Sequence, residues 1–77
     1  MQMTLEVRLT HPAAAFAAML ALEGMSEEPP HADGPVVRLA VEERAGAVME
    51  AARRLIRAGV AAEDIVVGAA DYRFLAV

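Results

Sequence analysis

Two six-residue stretches decide most of what this chain can become. Thr4–Leu9 alternates Thr4, Glu6 and Arg8 with Leu5, Val7 and Leu9, and Val36–Val41 alternates Val36, Arg38 and Ala40 with Val37, Leu39 and Val41. A period of two puts the three apolar side chains of each stretch on one side of an extended backbone and the rest on the other. Each stretch is therefore read as a half-buried strand, and each is followed by a segment of helical character.

After the first strand, Thr10-His11-Pro12 reads as a helix start. Thr10 is the expected cap, and Pro12 falls in the first turn, where its missing N–H costs nothing. The helix is expected to run to about Glu23, to bury Ala13, Phe16, Ala17, Met19 and Leu20, and to stop at Gly24. Residues 25–35, with Pro29-Pro30 and Gly34-Pro35, read as a long loop. Beyond the second strand, Glu42 and Glu43 are expected at the positive end of a second helix over about 45–58. Its periodicity assigns Ala45, Val48, Met49, Ala52, Leu55 and Ile56 to the core, and Gly59 ends it. The opposite side carries Glu50, Arg53, Arg54 and Arg57. Residues 61–64 form a turn and Ile65–Gly68 a third strand, while Tyr72–Val77 reads equally as a paired strand or a closing turn of helix.

Strands alternating with helices over 77 residues give one small α+β domain, a two-layer sandwich with two helices on one face of a small sheet. The ferredoxin-like order βαββαβ requires one more strand between the helices, for which the residues before Pro29 are the only expected source. The alternative is βαβαββ. The chain is 57% apolar, but 18 of those residues are Ala and only three are aromatic, so the core is thin for its composition. A partner that adds buried surface is expected to help.

Missing residue types exclude several kinds of chemistry. Without Cys there are no disulfides, thiolate nucleophiles, Cys-ligated zinc sites or iron–sulfur clusters. All seven basic residues are Arg, which removes Schiff-base chemistry and the phosphate-binding Lys of a P-loop. The net charge of −4 disfavours sequence-independent binding to nucleic acid. No apolar run reaches the roughly 18 residues of a membrane span, and no charged segment precedes an apolar one at the start, so the expected location is the cytoplasm.

The segments Leu5-Glu-Val-Arg-Leu9, the Ala-rich helix from Pro12, Asp33-Gly34 leading into Val37-Arg-Leu-Ala-Val-Glu42, Leu55-Ile-Arg-Ala-Gly-Val60 and Asp64-Ile-Val-Val67 resemble the C-terminal accessory domain of daunorubicin-resistance-type ABC transporter ATPases. That family closes on a segment similar to Ser-Leu-Glu-Asp-Val-Phe-Leu-Ala-Leu. Here Phe74, Leu75 and Ala76 fit it, while Ala69 and Ala70 replace its Ser and first Leu. The resemblance implies a transporter-associated module. The chain is also similar to ACT domains, with Thr10-His11-Pro12-Ala13 where those often carry Pro-Gly, which implies a sensor of a small anionic or amino-acid ligand.

Four residues are the candidates for ligand or partner binding. His11 lies at a strand-to-helix junction, where free backbone N–H groups attract anions. Arg53, Arg54 and Arg57 form the densest positive charge and suit carboxylates or phosphates. His31, Asp33, Glu27 and Glu28 have the donor chemistry of metal ligands without a metal-site spacing, and no Ser/His/Asp arrangement is evident, so neither metal, cofactor nor catalytic residue is assigned. The expected function is a non-catalytic interaction or regulatory module, acting on another protein or as a homodimer through its uncovered sheet face or an edge strand.

Overall fold

The computed structural model describes residues 2–42 and 45–69. Strand β1 (Gln2–Leu9) leads through a 3-10 turn (Pro12–Ala14) into α1 (Ala15–Leu22). The hairpin β2 (His31–Asp33) and β3 (Val36–Glu42) follows, then α2 (Ala47–Arg57), a second 3-10 turn (Ala62–Asp64) and β4 (Ile65–Ala69). The strands lie in the order β2-β3-β1-β4, and every neighbouring pair is antiparallel. Each helix thus connects two strands that have a third between them, which is the βαββαβ arrangement of a two-layer sandwich.

The alternation of the two central strands sets the register. Met3, Leu5 and Val7 stand opposite Val41, Leu39 and Val37, so all six apolar side chains share one face, and all six are buried. The helices cover that face with Ala18 and Leu22 from α1 and with Ala47, Ala51 and Leu55 from α2. Val60 seals the end of α2: its N–H donates to the Leu55 carbonyl and the Gly59 N–H to that of Ile56, a double closure that Gly59 permits at φ 96°.

The fourth strand comes from a segment expected to be loop, and from after Pro30 rather than before Pro29. His31–Asp33 is too short and too polar to show a periodic signal, and it exists because β3 supplies its ladder, His31 opposite Arg38 and Asp33 opposite Val36. The two intervening residues make a tight turn, with Gly34 at φ 62° in the position that needs a left-handed residue. Glu42 is the last residue of β3 rather than a helix-start acid, and the acid in the first turn of α2 is Glu50. Glu43 and Tyr72–Val77 lie outside the described residues.

Both helices bury a different stripe from the expected one. Phe16 and Leu20 of α1 are 72% and 55% exposed, and Met49 and Ile56 of α2 are 56% and 50% exposed. Ala13 and Ala45 are exposed as well, while Leu55 alone of the larger expected helix residues is fully buried. The true stripes follow i, i+4 spacing, Ala18 to Leu22 and Ala47 to Ala51 to Leu55, so Ala and Leu rather than the bulkiest residues of each helix meet the sheet.

Candidate functional site

Among the described residues, no element covers the other face of the sheet, and that face is charged. Glu6 sits between two guanidiniums, with Arg8 Nε donating to its Oε1 at 2.9 Å and Arg38 Nε to its Oε2 at 3.3 Å. Arg38 stands directly across from Glu6 in the β1–β3 register, and its Nη1 also lies 3.9 Å from an Asp33 carboxylate oxygen on the edge strand. The hydrogen bond from Arg8, reinforced by the positive charges of Arg8 and Arg38, holds the Glu6 carboxyl below the usual carboxylate range against the opposing effect of its partial burial. With Thr4 beside Glu6 on this face, the charged cluster occupies the centre of the sheet, and Val66 is its large exposed apolar side chain.

The outer side of the helical layer has the opposite character. Phe16 and Leu20 fall at i and i+4 on α1, and Met49, Arg53 and Ile56 at i, i+4 and i+7 on α2, so each set projects from one side of its helix. All five are exposed, as is Arg57. Since α1 and α2 pack against each other, both sets belong to one layer.

The three helix arginines do not act as one group. Arg54 is only partly exposed, and its guanidinium reaches across to the end of α1, with Nε 3.4 Å from Glu50 Oε2 and Nη1 donating to the Glu23 carbonyl at 3.1 Å. That second contact satisfies a backbone acceptor just past the end of α1, so Arg54 ties the helices together. Arg53 and Arg57, one turn apart, remain at the outer surface.

His11, rather than Thr10, takes the cap position, and it opens a 3-10 turn with no side-chain capping bond. Its imidazole is well exposed, with Nε2 3.9 Å from Asp64 Oδ1. The Thr10 N–H donates to the Asp64 carbonyl at 2.9 Å, so this junction joins the end of β1 to the start of β4. A cavity of about 530 Å³ lies at the other end of β1, lined by Gln2, the segment Gly24–Glu28, Val41 and Glu42. The structure therefore places His11 at the opposite end of β1 from that cavity.

His31 and Asp33 belong to a strand, not a loop, and both are exposed. Among the described residues, no three His, Asp or Glu side chains converge as metal ligands would. No polar or charged residue among them is fully buried. No described helix is long and apolar enough to cross a membrane.

Set against known protein families, curated proteins and solved structures, the chain matches none. Sequence reasoning missed Phe16, Leu20, Met49 and Ile56 as surface residues because it placed them in the core. The available signal was an excess: α1 is apolar on every side, so part of it had to face outward.

Proposed function

We propose that this chain is a non-catalytic interaction module that binds another protein, or a second copy of itself, through the outer side of its helical layer. One observation carries the reading: Phe16, Leu20, Met49 and Ile56 are all at least half exposed on that layer. Large apolar side chains gathered on one surface of a small domain mark an interaction site more often than single scattered ones do. The charged cluster around Glu6 makes the sheet face the poorer surface, since covering it would desolvate ions that already satisfy one another. The reading also agrees with the resemblance to transporter ATPase accessory domains, which would place the module beside a larger protein.

Site-directed photocrosslinking in the cells that make the protein tests this. A photoreactive residue at Leu20 or Ile56 is expected to trap a protein, while one at Val66, the exposed apolar position of the sheet face, is expected to trap none. Crosslinks from Val66 alone would move the interaction to the sheet, and crosslinks from none of the three would remove the interaction role.

A further inference from the structure

We propose that the occupant of this surface is an acidic amphipathic helix supplied by another protein. The inference rests on the helical layer being an interaction surface and adds the chemistry of what it receives.

The spacing fits a helix. Phe16 and Leu20 are four residues apart on α1, and Met49 and Ile56 seven apart on α2. At 1.5 Å per residue these pairs span about 6 and about 10 Å. Helices that pack side by side have axes about 8–10 Å apart, so the four side chains form two short apolar rows on neighbouring helices. A helix docked on such rows presents anchors at i, i+3 or i+4, and i+7, which covers about the same 10 Å.

The charge selects the sign of the partner. Arg53 falls between Met49 and Ile56 along α2, and Arg57 is adjacent to Ile56, so the α2 side of the surface interleaves apolar and cationic groups. Arg54 is occupied by Glu50 and the Glu23 carbonyl, and Arg8 and Arg38 are held by Glu6 on the far side of the sheet. Among the described residues, Arg53 and Arg57 are thus the arginines turned outward beside the exposed apolar groups. A docking helix with Glu or Asp flanking its apolar stripe would meet both guanidiniums at the rim, which favours encounter and orientation.

A second copy suits the surface less well. Arg53 and Arg57 stand beside two carboxylates, Glu23 just past the end of α1 and Glu50 of α2, which pairs with Arg54, while Glu27, Glu28 and Glu63 lie off the helices. A twofold contact centred on α2 would face each Arg pair with its own copy.

The test uses the full 77-residue chain and a dye-labelled 18-residue helical peptide with Leu at i, i+3, i+7 and i+10 and Glu on both flanks. Fluorescence anisotropy is read at low and high salt, with a second peptide carrying Lys for every Glu. The Glu peptide is expected to bind at least tenfold more tightly than the Lys peptide. Ile56→Glu should weaken it tenfold or more, and the double change Arg53→Gln, Arg57→Gln should weaken it several-fold at low salt and less at high salt. These positions are exposed, and a thermal melt of each variant checks that it folds. Equal binding of the two peptides, or binding of neither, overturns the acidic-helix inference. A concentration-dependent dimer that Ile56→Glu dissociates overturns it in favour of a second copy. If the peptides fail while Leu20 and Ile56 still crosslink to a protein, the surface stands and only its proposed occupant is wrong. If the crosslinks fail too, both are wrong.

Discussion

Leu55 and Ile56 are neighbours on α2, and the structure gives them opposite surroundings. Leu55 is fully buried between α2 and the sheet, whereas Ile56 is half exposed. Leu55→Ala removes three carbons from a packed site, worth about 0.8 kcal/mol each in transfer free energy, or about 2.4 kcal/mol. The cavity left behind adds to this, so the expected cost is about 3 kcal/mol within the usual range of about 2–5. For a 77-residue domain, whose total stability is about 4–12 kcal/mol, that is a large fraction. Ile56→Ala loses at most half of a side-chain burial and gains a better helix former, so its cost should stay below about 1 kcal/mol. Urea denaturation followed by circular dichroism separates the two. With a slope near 1 kcal/mol per molar, the midpoint should fall by about 3 M for Leu55→Ala and by less than about 1 M for Ile56→Ala. Equal shifts, or a larger one for Ile56→Ala, would show that α2 is rotated from the orientation described and that the proposed docking surface is core.

Gly59→Ala should cost about 1–2 kcal/mol, because a Cβ is strained at φ 96°, and a thermal melt should show it as a lower Tm with unchanged helix content. Glu6, whose pKa is lowered in the folded state, contributes stability that is complete above its ordinary value near 4.5 and is lost as pH falls through the lower folded value. Glu6→Gln should therefore cost about 1 kcal/mol or less at pH 7, since its partners are largely exposed, and the difference from the parent should vanish in acid. A difference that persists undiminished at pH 2 would contradict the ion-pair origin. Arg54→Gln should lower stability by about 1 kcal/mol through loss of the contacts to Glu50 and the Glu23 carbonyl, while Arg53→Gln should leave the melt within about 0.5 kcal/mol of the parent.

The parts of the fold that could be read in the sequence are those in which one residue's pattern repeats in its neighbours. β1 and β3 announce themselves by strict alternation, and their register follows once Leu5 pairs with Leu39. Gly24 and Gly59 mark helix ends because few other residues tolerate a left-handed backbone. β2 is different. Nothing in His31-Ala32-Asp33 favours a strand, and its pairing comes from β3 across a turn, which is tertiary information. The helix faces were misread for a related reason: with Ala on several sides, periodicity of bulk points to Phe16 and Met49, while the folded chain buries Ala18, Ala47 and Ala51. Of the candidate site, the exposure of Arg53 and Arg57 was legible, within a group of three that also took in Arg54. The reach of Arg54 to the end of α1 was not, because its acceptor is a carbonyl 31 residues away in sequence.

Methionine oxidation reads the proposed surface directly, since Met3 is buried in the core and Met49 is exposed on the helical layer. Brief peroxide treatment of the dilute, isolated chain, followed by peptide mass spectrometry, should oxidise Met49 much faster than Met3. The same treatment in extract of the cells that make the protein should slow Met49 selectively and restore its rate when Ile56→Glu is introduced. If Met49 is as slow as Met3 in the isolated chain, or equally fast in the isolated chain and in the extract, the outer side of the helical layer is not the surface that a partner covers.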